Sequence, residues 1–315
     1  MNHSQMYWLH AITPLHVGAG RGAGVIDLPV VREKATQWPY VPGSGVKGVV
    51  ADAHGASIRG SDGDSPRKDD WHAAAFGRPA GKAVDADNAG SLVFTDARIV
   101  CLPVRSLVGT FAWATCPLVL QRLKQDAGLA GNAALADLAV PEVEIDEAAV
   151  ASIDTRTLVH RVQDTDKLYL EDLDLDAVDG DKTKAWAEQL GMQLFAAQQD
   201  RTAFGQRFVI VHNDLFNFLC ETALEVRARI KLDPDTKTTQ SGALWYEESL
   251  PTETILSGTV WCDKVFGNGA AAAGITQQTL LDKYCKGDAH FQMGGKASTG
   301  KGLVHAIGLS AAGAI

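Results

Sequence analysis

Two glycine-rich loops stand beside β-prone runs at opposite ends of this chain, and they restrict its possible folds more than any other feature. The first covers residues 18–24 and follows the apolar run 7–13. The second reads Gly294-Gly-Lys-Ala-Ser-Thr-Gly-Lys-Gly302 and leads into the β-prone run 303–309. Glycine lets backbone amides approach an anion closely, and His16, Arg21, Lys296 and Lys301 stand in or beside these loops. Each loop imitates a nucleotide motif and then departs from it. Gly295-x-x-x-x-Gly300-Lys301 follows a phosphate loop until Gly302, where Ser or Thr would bind magnesium. A phosphate loop opens a helix, whereas this one precedes a strand. Gly18-x-Gly20-x-x-Ala23 follows a strand, as a dinucleotide fingerprint does. Residues 25–31, with Pro29 among them, then supply extended chain where that fingerprint needs a helix. No nucleotide cofactor is expected.

Between the loops, strands are expected at 91–100, 103–115, 208–211 and 254–263. Ser44 is expected to cap a helix over 45–54, placing Lys47 on its first turn. Further helices are expected at 117–127, 181–199, 213–222 and 274–285. The runs 224–231 and 243–248 read as two strands joined by a turn-rich hairpin connection. Residues 55–90 and about 130–181 read as insertions. Strands and helices mix without the even rhythm of a doubly wound sheet, which predicts an α+β sheet with large insertions over residues 1–315.

The formal charge of −9 argues at first against a polyanionic partner. Residues 142–181 hold thirteen Asp and Glu against three Lys and Arg, leaving the remaining 275 residues at +1. The acidic block reads as a solvated surface insertion, and basic side chains elsewhere can line a track for phosphates. Five cysteines lie far apart with no C-x-x-C pair, as expected of reduced thiols and without a zinc pattern. No apolar run is long enough to span a bilayer and no signal peptide opens the sequence. A cytoplasmic protein with no membrane partner is expected.

The motifs "TPLHVGAG", "IDLPVVRE" and "PYVPGSGVKGVV" in residues 13–50, with the terminal "GG-x-x-x-TGKG", resemble the RAMP superfamily of CRISPR-associated proteins. The stretches "FG…AGSLVFTDARIVCLPVRSLVGTFAWATCP" (76–117) and "GALWYEESLP" (242–251) resemble its type III-B (Cmr) backbone subunits. The type III-A counterpart is the nearest rival.

The resemblance implies a modified RNA-recognition-type, ferredoxin-like palm with finger and thumb insertions, the thumb hairpin falling at about 224–248. It implies copies stacked head to tail along a guide RNA, in company with other Cmr subunits. A complementary single-stranded target RNA is cut beside nucleotides that each thumb displaces. The family's catalytic aspartate falls at Asp27, as base or as ligand of a divalent ion such as magnesium or manganese. His16, Arg21, Ser44, Lys47, Lys296 and Lys301 are expected at the RNA. Glu247 falls at a position implicated in activity, with Glu248 as the alternative match; Trp245 and Tyr246 are expected to pack in the core or the hairpin. A non-catalytic RNA-binding filament protein is the rival reading of the same resemblance.

Overall fold

The computed structural model describes residues 3–20, 22, 24–55, 70–78, 88–233, 235, 238–267 and 274–311. Four strands lie side by side in the order Leu303–Ile307, Ser4–Ala11, Ile255–Trp261, Ala97–Ser106, each antiparallel to its neighbour. The helix Gly43–Gly55 follows the first of these strands in the chain, and Gln277–Tyr284 follows the third. Two β-α-β units interlocked in this order make a ferredoxin-like palm. The edge strand Asp288–Gln292 extends the palm beyond Leu303–Ile307.

Strand Ser4–Ala11 is apolar along most of its length because both faces of the sheet are covered. Tyr7, Leu9 and Ala11 enter the core on one face; Met6 and Trp8 enter a second core on the other. The second core also receives Leu120 and Leu123 of helix Pro117–Leu129 and Trp186 and Leu190 of helix Asp181–Leu194.

Helix Gly43–Gly55 begins one residue before Ser44, which corrects the expected cap. The Pro42 carbonyl accepts from the amides of Gly45 (2.8 Å) and Val46 (3.1 Å), and the Gly43 amide donates to Asp96 Oδ1 at 2.8 Å. A Cβ at Gly43 would sit 2.4 Å from the Phe94 carbonyl oxygen, so this approach of helix to strand requires glycine. Ser44 is exposed on the first turn.

The acidic block differs most from expectation. Strands Glu147–Val150, His160–Val162, Thr165–Leu170 and Leu173–Asp179 add to the far side of the sheet through Phe208–Val211. Ala148, Val150, Leu168, Leu170 and Leu175 are buried there, while most of the intervening acids stay at the surface. The segment expected as one helix over 181–199 divides into Asp181–Leu194 and Gln198–Gly205. Phe195 turns extended between them and sets its ring 5.5 Å from that of Phe204. Arg201 donates to the freed Phe195 and Ala196 carbonyls. Most of the 55–90 insertion lies outside the described residues.

Candidate functional site

The hairpin Glu225–Leu232/Thr239–Ser249 stands apart from the main sheet. Strict alternation in Val226-Arg-Ala-Arg-Ile-Lys-Leu232 gives it two unlike faces. Val226, Ile230, Leu232, Leu244 and Tyr246 share one face, and the first four are each about half exposed. Arg227, Arg229 and Lys231 share the other face with Trp245 and Glu247. Tyr246 lies in the hairpin, one of its two expected places, and is exposed there instead of packed in the core.

The base of this hairpin receives both glycine-rich loops. Leu15 and Leu250 exchange backbone hydrogen bonds of 2.9 Å each way. Leu28 pairs with Glu247 in a parallel bridge. The terminal loop crosses His16: the Gly295 amide donates to the His16 carbonyl at 2.8 Å. Gly294 has φ 72°, and a Cβ there would lie 2.3 Å from the same oxygen. Only glycine meets both conditions.

Asp27 lies at this junction with its carboxylate exposed. Its Oδ2 accepts the Tyr246 amide at 2.8 Å, so the hairpin backbone aims the carboxylate. Among the described residues Oδ1 has no hydrogen-bond partner.

Glu247 is its opposite: 2 % exposed and surrounded by donors. Trp245 Nε1–H (2.9 Å) and Lys296 Nζ (3.0 Å) reach Oε1; Arg229 Nε (3.3 Å) and Lys301 Nζ (3.5 Å) reach Oε2. Burial alone would push this carboxyl up. The Trp245 N–H and the two lysines outweigh that and hold it at about 2.

Lys301 is only 3 % exposed and donates to Ser249 Oγ at 2.7 Å; burial pushes its ammonium down, against the pull of Glu247. It faces inward, toward Glu247 and Ser249. His16 faces inward as well. It is 5 % exposed, and its Nδ1–H donates to the Glu248 carbonyl at 2.6 Å, so it ties a glycine loop to the hairpin. Lys296 keeps an exposed portion and a left-handed backbone, φ 67°, which turns its side chain onto Glu247.

The structure therefore gathers His16, Asp27, Glu247, Lys296 and Lys301 at one node. Ser44 and Lys47 lie on helix Gly43–Gly55, and among the described residues no hydrogen bond or ion pair joins them to that node. Lys47 donates to the Leu92 carbonyl at 2.9 Å, and partial burial lowers its pKa. Arg21 lies outside the described residues.

Sequence reasoning missed Arg32 and Ser249, and it weighed Glu248 only as an alternative to Glu247. Glu248 is 3 % exposed; its Oε2 accepts the Val30 amide (2.9 Å) and its Oε1 accepts Arg32 Nη2 (2.7 Å). The adjacent Glu247-Glu248 pair was the available signal. Neighbours on a strand point to opposite faces, so two buried acids in sequence require partners on both sides.

The terminal loop also parts from a phosphate loop in space. It holds a short 3₁₀ turn, Ala297–Thr299, followed by strand Leu303–Ile307 instead of a helix. The lysine in the phosphate-binding position is the inward-facing Lys301.

The sequence pattern of the RAMP superfamily matches residues 8–305. The CRISPR system Cmr endoribonuclease Cmr4 of Pyrococcus furiosus is 30% identical over 305 residues, spanning 94% of this chain and 92% of that one. The fold resembles the crystal structure of oligomeric Cmr4 from Pyrococcus furiosus (TM-score 0.66, 24% identity, 97% of each chain). It also resembles a chain in the cryo-EM structure of the type III-B Cmr-beta bound to cognate target RNA (TM-score 0.68, 18% identity, 96% of each chain). By sequence pattern and by similarity along nearly its whole length, the chain belongs to the RAMP superfamily, with Cmr4 among its relatives.

Proposed function

We propose that this chain is a backbone subunit of a type III-B, RNA-guided effector complex that binds guide RNA and cleaves complementary target RNA. The observation that carries this reading is the setting of Asp27. An exposed carboxylate is fixed by a backbone amide where a glycine-rich loop meets a protruding hairpin with one basic and one apolar face. The relative named an endoribonuclease, and the similar chain from a Cmr-beta structure described as bound to cognate target RNA, support it. Pairing with the guide reads the target sequence, so the protein needs contacts to shape and backbone only. Further copies of the chain, stacked head to tail, and other Cmr subunits complete the assembly.

In this reading a target nucleotide displaced at the hairpin adopts in-line geometry. Its 2′-hydroxyl forms a bond to the adjacent phosphorus as the bond to the 5′-oxygen breaks, leaving a 2′,3′-cyclic phosphate, and the departing 5′-oxygen takes a proton from water to become a 5′-hydroxyl. Asp27 Oδ1 takes the proton from the attacking hydroxyl, while Oδ2 stays with the Tyr246 amide. Lys296, steadied on Glu247, brings positive charge toward the phosphate.

One exposed carboxylate is one metal ligand, and among the described residues no group of three His, Cys, Asp or Glu could hold an ion alone. In the alternative role, in which Asp27 is a metal ligand and water takes the proton, Oδ1 would hold a magnesium or manganese ion whose other ligands would come from RNA phosphates and water. Such an ion would neutralise charge on the reacting phosphate.

Asp27→Asn keeps the shape of the side chain and removes its charge. In the assembled complex, target cleavage should fall by about 10²–10⁴-fold while guide and target binding persist. Cleavage at the wild-type rate would remove Asp27 from the mechanism, and abolished binding would make it structural.

A further inference from the structure

We propose that Glu248 and Arg32 form a positioning pair that sets the Asp27 carboxylate against the hairpin; this rests on the cleavage role of Asp27 given above. Asp27 belongs to no helix or strand of its own. Two main-chain hydrogen bonds hold its segment to the hairpin: Leu28 N–H to the Tyr246 carbonyl (3.1 Å) and Glu248 N–H to the Leu28 carbonyl (3.0 Å). A bridge this short can slip by a residue, and a slip would carry the carboxylate away from the Tyr246 amide.

Glu248 prevents the slip. Its two oxygens go to two points on the same segment, the Val30 amide at 2.9 Å and Arg32 Nη2 at 2.7 Å. Arg32 directs Nη1 to the carbonyls of Gln37 (2.8 Å) and Cys220 (3.0 Å). Cys220 lies in helix Asn213–Thr222, so the segment is fastened to a rigid element as well as to the hairpin.

Tyr246, which aims Asp27, and Glu248, which fixes the register, lie two residues apart on one strand. Any displacement of the hairpin base is therefore transmitted to both ends of the Asp27 segment. Glu248 itself is buried with both oxygens engaged, so it is excluded from direct contact with RNA. A planar guanidinium facing a carboxylate imposes direction as well as attraction, which an apolar contact in the same space would not. Buried ion pairs often add little net stability and are retained where geometry matters.

The test uses complexes assembled with guide RNA and carrying Glu248→Gln, Arg32→Lys or Asp27→Asn. Single-turnover cleavage and target affinity are measured separately. Glu248→Gln should slow cleavage about 10²-fold, the effect of displacing a reacting group by an ångström, with target affinity unchanged. Arg32→Lys keeps the charge but removes the fork, so its rate should fall between Glu248→Gln and wild type. Wild-type rates for both variants, or affinity falling in step with the rate, overturn the proposal. So does failure of both to assemble, which would make the pair a folding element. Asp27→Asn separates this from the underlying reading. If Asp27→Asn cleaves normally, the cleavage role of Asp27 fails; if it is inactive while the other two cleave normally, only the positioning pair fails.

Discussion

Glu247 and Asp27 lie far apart in the sequence yet meet at one hairpin, and their environments give them opposite work. Glu247 carries a buried charge held at about 2, below its ordinary 4.5, by Trp245, Lys296 and Lys301 in spite of desolvation. A carboxyl depressed in the folded state contributes stability that is fully present above its unfolded value and disappears as pH falls toward the folded one. Unfolding free energy measured from pH 6 to pH 2 should therefore drop more steeply in wild type than in Glu247→Gln. The difference in slope should approach about 1.4 kcal/mol per pH unit inside that window. Equal slopes would mean that the carboxyl is not depressed. Near neutral pH the variant should already be weaker by about 3–5 kcal/mol, because Lys301 keeps Ser249 but is left buried without an opposite charge. The two lysines of the terminal loop should also separate. Lys296→Ala should lower the salt slope of RNA binding by about 0.7–0.9 for each phosphate that this lysine neutralises. Lys301→Ala should chiefly lower the melting temperature. Residue type makes both lysines legible as phosphate ligands. Only the fold shows that Ser249 and Glu247 turn Lys301 inward, since contacts between residues some fifty positions apart leave no local trace.

Elements with strong local signals are legible in the sequence, and those defined by distant partners are not. Helix Asn213–Thr222 has the expected ends, and the hairpin strands fall within a residue or two of expectation on their outer sides. Strand Asp288–Gln292 escapes sequence reasoning because Ala289 and Phe291 alone alternate with exposed polar residues, too little apolar content to stand out. The strands of the acidic block are obscured in the same way by their charges. The hairpin raises a separate question of stability. Two strands alone are marginal in water, and this pair is fixed at its base while its apolar face stays open. Ile230 and Leu244 lie directly opposite each other on that face and are 51% and 53% exposed. The double variant Ile230→Ser, Leu244→Ser should therefore alter the stability of the isolated chain by no more than about 1 kcal/mol. Cleavage by the assembled complex should fall much further, because an open apolar face of this kind is suited to contacts made in the assembly. Thermal unfolding of the chain and cleavage by the complex, measured side by side, check this. Parallel losses in both would show that the face is already packed within the monomer.

Across the whole molecule, charge is distributed along the sheet. The acidic strands His160–Val162, Thr165–Leu170 and Leu173–Asp179 occupy one end of the strand order, and strand Leu303–Ile307, which follows the terminal glycine loop, lies near the other. Thr165–Leu170 also folds back onto the palm, pairing Leu170 with Ser106, and from there three palm strands at about 4.8 Å each still precede Leu303–Ile307, more than a Debye length of about 8 Å at physiological salt. The acidic end is thus screened from phosphates held at the loop end, and a net charge of −9 does not prevent RNA binding. An elongated polyanion also has room for more than one such subunit. In the proposed assembly each copy meets the strand through the same site, and the 5′-to-3′ polarity of the RNA then gives successive copies one orientation. Contacts between copies in one orientation are head to tail and join unlike surfaces, and such contacts extend indefinitely unless a rotation closes them. The purified chain should therefore form open assemblies that lengthen when guide-length RNA is added and shorten as salt is raised. Light scattering with and without that RNA, at several salt concentrations, measures this directly. A strict monomer, or a closed dimer whose size ignores both RNA and salt, would contradict the arrangement. The mass added per RNA should then rise in whole subunits as the RNA is lengthened, since each copy covers a fixed span of the strand.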